Sequence, residues 1–323
     1  METTEPTPEN NSFEPEEPSS YIYPPKPEIV ERNDQSIMRS LLSLLMYGVL
    51  FYFIFDQNIA YIAAILVVLL IHESGHFLFM KLFKYDNVRI FIVPLLGAFT
   101  SGAKQKVSQL QMSLIILGGP VPGIIIGCFL LYFNQEAKNE NMQMLANTFL
   151  IINLLNLLPM HPLDGGRMIE TLFFRENYII RMVFGIISIM GLSAIALWQQ
   201  NPILLIIPLM IGLELFNESK FNKIRSYLTT EKIHFRVDYK DLPDKDYWLI
   251  RDCLIFSFPK KYGMLAAGRY EYSVFEPSLI SHVKAVLQTN LVQDLAGFKK
   301  ILMLLVYLFV LFAPIFFLIT LYY

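Results

Sequence analysis

Cysteine and histidine are scarce, at two and five in 323 residues. Cys128 lies inside an apolar run, and with only Cys253 beside it no disulfide framework or thiolate metal site can be assembled, so both read as structural. Charge is scarce as well. Charged residues make up 17% of the chain, below the roughly one quarter usual in soluble domains, while 54% is hydrophobic and mean hydropathy is +0.45. A net charge of −2, with no basic stripe interleaved with aromatics, argues against a nucleic-acid partner. No solenoid-type repeat is visible. What dominates is long apolar runs, and the chain reads as an all-α polytopic membrane protein.

Residues 1–35 are the exception, with seven prolines and nine acids against Lys26 and Arg32. This composition predicts a disordered acidic tail, and it lacks the basic start and short apolar core of a cleaved signal peptide. After it come apolar stretches long enough to cross roughly 30 Å of hydrocarbon at 1.5 Å per residue. They lie near 37–55, 59–82, 108–133, 142–163, 177–198 and 300–322, with a shorter one near 201–216, so about seven crossings are expected. Residues 36–216 would form the membrane core, 217–299 a cytoplasmic segment, and 300–323 a C-terminal span. Threading the spans in order puts Arg32, Arg39, Lys84, Arg89, Lys104, Lys106, Arg167, Arg175 and the segment 217–299 on one side, which is cytoplasmic by the positive-inside rule. The expected location is thus the cell membrane, with the N-terminus inside.

One of these spans carries LLIHESGHFLFM, residues 69–80. His72 and His76, at i and i+4, share a helical face and can reach one tetrahedral metal, while Glu73 is turned by about 100° and can reach a water there. His72 would lie roughly 15 Å from the cytoplasmic end of its helix. A histidine among apolar residues is usually a satisfied core residue, yet three ionisable groups in five residues at membrane depth need a compensating charge. A third protein ligand is required. The span 142–163 runs in the same direction and leads into Asp164, after two prolines and before two glycines. Two histidines and Asp164 around Zn²⁺ leave one positive charge, which an ionised Glu73 neutralises.

HESGH together with NLLPMHPLDGG resembles the site-2 protease family of intramembrane zinc metalloproteases. The resemblance implies that His72, His76 and Asp164 are zinc ligands, that Glu73 is the general base, and that Asn156 helps hold the substrate carbonyl. It implies hydrolysis of transmembrane segments of other proteins near the cytoplasmic side, within the bilayer, as in regulated intramembrane proteolysis. Asn153, one turn earlier, reads as an interhelical hydrogen-bonding residue. GGPVPGIIIG (118–127) resembles the family's G-P motif, in which some members carry asparagine where Gly123 stands, and its small residues read as serving close packing. VRIFIVPLLGAFTSG (88–102) reads as strand and turn and resembles the family's membrane-associated β-hairpin. His161 stands where a proline is common, and reads as incidental.

The segment 217–299 has 13 bases and 10 acids but no motif. Its histidines, His234 and His282, read as surface residues. Rival readings fit less well. A metal transporter would spread its ligands along a crossing pathway, whereas here they gather at one depth. A prenyl-protein endopeptidase would leave LDGG unexplained. The strongest alternative is a catalytically silent scaffold of the same fold that binds partner helices.

Overall fold

The structure, a computed structural model, describes residues 23–28, 59–93, 97–104, 106–174, 177–200, 202–288 and 290–322. The span expected at 37–55 and most of the acidic tail lie outside these residues.

Helix α1 (Ile59–Leu82) ends where Lys84 adopts a left-handed conformation, φ 58°, and the Tyr85 amide closes back onto the Met80 carbonyl at 3.0 Å. The chain then extends into β1 (Asp86–Val93), paired antiparallel with β2 (Gly97–Ala103) so that Ile90 faces Thr100 and Val93 faces Gly97. This is the expected hairpin, its β-branched residues favouring the pleated backbone. The strand β3 (Lys106–Ser108) leads into α2 (Gln109–Gly118), capped by the Ser108 hydroxyl, and α3 (Pro120–Ala137) comes directly after it. Another left-handed residue, Lys138, reverses the chain, and the Asn139 side chain caps α4 (Glu140–Asn156). Helices α3 and α4 pack around Ile124, Leu131, Ala146 and Leu150.

The short α5 (Asp164–Ile169) runs into a π-helical turn, Glu170–Phe174. Helices α6 (Tyr178–Trp198) and α7 (Ile206–Thr230) pack against each other. Ile179, Ile186, Ile187 and Met190 on α6 are exposed, as lipid-facing residues are. Beyond α7 come α8 (Asp244–Ser257), α9 (Pro259–Tyr262) and α10 (Glu276–Val286). Together with the end of α7 they bury Leu228, Tyr247, Trp248, Leu254, Tyr262 and Val283 in a core of their own. The strand β4 (Asn290–Val292) pairs parallel with β3, and α11 (Gly297–Tyr322) returns to the main bundle, where the Tyr307 hydroxyl donates to the Leu157 carbonyl.

The chain is an integral membrane protein. Among the described residues four helical stretches are long and apolar enough to cross a membrane: Ile59–Leu82, Gln109–Ala137, Tyr178–Trp198 and Gly297–Leu321. The described residues thus support four crossings by length and composition, and the expected seven stands as a proposal for the whole chain. The stretch 142–163 is helical only to Asn156, because Pro159 and Pro162 disfavour helix beyond that residue. The short run at 201–216 is the start of a longer helix: α7 passes without a break through the boundary expected at 216, into Lys220, Lys223 and Arg225. Part of the tail also departs from disorder. Residues 23–28 lie against the α8–α10 unit, with the Tyr239 hydroxyl donating to the Pro27 carbonyl at 2.9 Å.

Candidate metal centre

The three donor atoms converge. His72 Nε2 lies 3.0 Å from Asp164 Oδ2, His76 Nε2 lies 3.2 Å from the same oxygen, and the two Nε2 atoms are 3.2 Å apart. His72, Glu73, His76 and Asp164 are all buried. In a tetrahedral zinc site with metal–donor bonds of 2.0–2.1 Å, neighbouring donors stand about 3.3 Å apart. The observed triangle is that size.

The far side of each imidazole shows which nitrogen faces inward. His76 Nδ1 donates to the Ile115 carbonyl at 2.8 Å, and a carbonyl can only accept. His72 Nδ1 lies 2.8 Å from Asn153 Oδ1, while the Asn153 amide nitrogen donates to the Phe149 carbonyl at 2.8 Å, which orients the amide with its oxygen toward the ring. Both Nδ1 atoms therefore carry hydrogen, which in the neutral rings leaves both Nε2 atoms to present lone pairs. Two lone pairs and a carboxylate oxygen within 3.2 Å repel one another unless a cation or proton lies among them. The donor set thus fits a divalent metal.

Close backbone approach makes room for these rings. A Cβ on Gly119, between α2 and α3, would stand 2.4 Å from His76 Nε2, and one on Gly123 would stand 2.1 Å from the Asn153 amide nitrogen. At this crossing the space a side chain at 123 would need is filled from α4 by Asn153.

Glu73 has a separate partner. The Thr100 hydroxyl, on β2, is 2.8 Å from Glu73 Oε2 and 3.1 Å from the Glu73 carbonyl oxygen. His72, Glu73 and His76 present donor atoms within 4.8 Å of one another, so Glu73 stands beside the triangle. On the other flank Arg167, one turn along from Asp164, donates to Asp164 Oδ1 at 3.3 Å and leaves Oδ2 to face the histidines.

A cavity of about 750 Å³ opens onto the cluster. Asn156 is on its wall, half-buried, with its amide donating to the Ile152 carbonyl of its own helix. The cavity continues past Glu214, Asn217 and Glu218 of α7 to Ala285 of the α8–α10 unit. His161 is turned elsewhere: its ring nitrogens meet Glu170 at 3.1 Å and Glu214 at 3.4 Å.

Of the candidate site residues, His72, Glu73, His76, Asn156 and Asp164 border one cavity, and His161 does not. Sequence reasoning passed over Thr100, Arg167 and the imidazole-orienting place of Asn153. Only for Asn153 was there a signal, an amide between two helices.

Comparison with known proteins agrees with the motifs. Residues 60–136 match the model of Peptidase family M50. A zinc metalloprotease of Methanocaldococcus jannaschii is 29% identical over 115 residues, 34% of this chain and 33% of that protein. Stage IV sporulation protein FB of Bacillus subtilis is 26% identical over 114 residues, 35% of this chain and 40% of that protein. The match thus spans only about a third to two fifths of these relatives' length. Among solved structures, the site-2 protease from Methanocaldococcus jannaschii superposes with a TM-score of 0.43 at 21% identity, covering 56% of this chain and 88% of that one. The chain is similar to the M50, or site-2 protease, family. The family match holds His72, Glu73 and His76 but ends before Asn156 and Asp164, whose place at the cluster comes from geometry.

Proposed function

We propose that this chain is an intramembrane zinc metalloendopeptidase, a hydrolase that cuts transmembrane segments of other membrane proteins. The observation that carries it is the inward-facing triangle of His72 Nε2, His76 Nε2 and Asp164 Oδ2, inside a helix bundle with spans apolar enough for a membrane. The likeness to zinc metalloproteases supports the choice of metal.

His72, His76 and Asp164 would hold the zinc, which when bound would supply Lewis-acid polarisation of a carbonyl and a water pKa lowered towards 7. The remaining work falls to the protein. Glu73, its carboxylate held by Thr100, takes the proton from the attacking water and returns it to the departing amine. Asn156, on the cavity wall, turns its amide to the carbonyl oxygen as negative charge develops there. Burial excludes bulk water, and the polar lining at Glu214, Asn217 and Glu218 gives hydrolytic water a route from the α8–α10 side. A membrane helix hides its peptide groups in its own hydrogen bonds, so substrate must unwind before entering.

For topology, the contact of residues 23–28 with the α8–α10 unit supports both lying on one face of the membrane, separated by an even number of crossings. With the lysine and arginine distribution this favours a cytoplasmic N-terminus in the cell membrane and cleavage near the cytoplasmic side. The test is cleavage of a transmembrane substrate in reconstituted vesicles by wild type and Glu73→Gln. Loss of cleavage with zinc retained supports the reading, equal cleavage refutes the mechanism, and zinc without any cleavage by wild type favours a silent scaffold.

A further inference from the structure

Residues 23–28 read YPPKPE. Proline holds φ near −65° and pushes the residue before it into extended conformations, so Tyr23 to Pro27 favour a polyproline II helix even when free. Such a segment offers few hydrogen-bonding groups, because its prolines have no N–H.

Within Pro24–Pro27, three of the four carbonyls and the one N–H are used. The Trp248 indole N–H donates to the Pro24 carbonyl at 2.7 Å, the Tyr272 hydroxyl to the Pro25 carbonyl at 2.7 Å, and the Tyr239 hydroxyl to the Pro27 carbonyl at 2.9 Å. Lys26 carries the one N–H in Pro24–Pro27, and it donates to Asp244 Oδ1 at 2.8 Å. The Lys26 ammonium donates to the carbonyls of Lys240, at 2.8 Å, and Leu242, at the end of a single 3₁₀ turn (Tyr239–Asp241), where the free carbonyls favour a cation. It also sits 5.6 Å from the centre of the Tyr239 ring. Tyr23 packs on Tyr270 with ring centres 4.8 Å apart.

The groove is braced from beneath. Arg251, buried, stacks under Trp248 at 5.0 Å and donates to the carbonyls of Arg269 and Glu271, so it pins the irregular loop that presents Tyr270 and Tyr272. Glu276 neutralises Arg251 at 3.3 Å and accepts from the Tyr247 hydroxyl. A buried cation and its partner are spent holding an exposed loop in one shape. Aromatic rings with outward N–H and O–H donors, on a fixed frame, are what polyproline recognition requires.

From this we infer that the α8–α10 unit is a recognition site for proline-rich peptides with a lysine between prolines, and that the chain's own Tyr23–Glu28 is its resident occupant. The site stands apart from the metal centre, and its test needs no cleavage. Bound in cis, the segment ties the α8–α10 unit to the sequence that precedes α1, and a peptide of the same chemistry enters by displacing it.

The test uses the full-length chain in detergent and a fluorescein-labelled YPPKPE peptide. Tail release by Pro24→Ala, Pro25→Ala and Lys26→Glu is expected to tighten peptide binding at least about tenfold over wild type, because the tethered segment competes at an effective concentration on the order of millimolar. Adding Tyr272→Phe, which removes one hydroxyl from an exposed ring, is expected to weaken binding several-fold, and a YAAKAE peptide is not expected to bind. Equal binding to wild-type and tail-released chains, equal binding of YAAKAE, or indifference to Tyr272→Phe overturns the proposal. Hydrogen exchange on the unaltered chain checks it independently: the Lys26 amide is expected to be protected, and exchange there at the free-peptide rate overturns it.

Discussion

His72 Nδ1 and Asn153 Oδ1 lie 2.8 Å apart across two helices, and that contact decides which imidazole nitrogen faces Asp164. The asparagine read from the sequence as an interhelical hydrogen-bonding residue makes that bond to an imidazole proposed as a metal donor, and orients it. Asn153→Ala is expected to lower zinc affinity about 10- to 100-fold, the usual effect of losing a partner behind a ligating histidine. Zinc content measured against a zinc buffer checks this, and Asn153→Asp, which keeps an acceptor oxygen, is expected to recover most of the loss.

Thr100 reaches Glu73 from the hairpin rather than from a helix. Thr100→Val keeps the shape and removes the donor, and is expected to lower kcat about tenfold, the order that a hydrogen bond to a charged group supplies. Zinc content is expected to stay at the wild-type level. A fall in both together would mean that Thr100 holds the fold and not the base.

Gly119→Ala would place a carbon 2.4 Å from His76 Nε2. The ring must move, so zinc is expected to be lost while the bundle survives at a cost of about 1–3 kcal/mol from overpacking. Zinc assay together with a thermal melt in detergent separates those effects.

Asp294, just before α11, accepts from the Ser108 hydroxyl and the Leu110 amide at the start of α2. Burial pushes its carboxyl up, but these bonds outweigh it and hold the carboxyl below the ordinary range. A depressed folded pKa means stability that is present above the unfolded value, near 3.9, and is lost as pH falls through the folded one. Protection of the Leu110 amide is therefore expected to fade on acidification below about pH 4 in wild type, and to be weak and insensitive to pH over that range in Asp294→Asn. Hydrogen exchange across that range reads it.

Much of the helical framework was legible, because apolar runs at Ile59–Leu82 and Gln109–Ala137 announce helices and the β-branched run before Gly97 announces a strand. The convergence of His72, His76 and Asp164 could be anticipated from helical spacing plus the need to balance buried charge. Hydropathy failed where helix and apolarity part company. Helix α4 stops at Asn156 while the apolar sequence runs on, and α7 runs on through Lys220 and Arg225 after the apolar sequence stops. Thr100 and Arg167 gave no signal, since their partners are set by how strands and turns pack. The same is true of YPPKPE, whose composition reads as disorder until aromatic residues more than 200 positions away supply the donors.

Zinc stoichiometry and X-ray absorption on the purified chain test the metal centre most directly. One zinc per chain is expected, with two imidazole nitrogens and a carboxylate oxygen at about 2.0–2.1 Å, and with most of the metal lost in Asp164→Ala. A chain that takes up no zinc from a buffered supply, or an Asp164→Ala variant with unchanged zinc and an unchanged spectrum, would contradict the assignment.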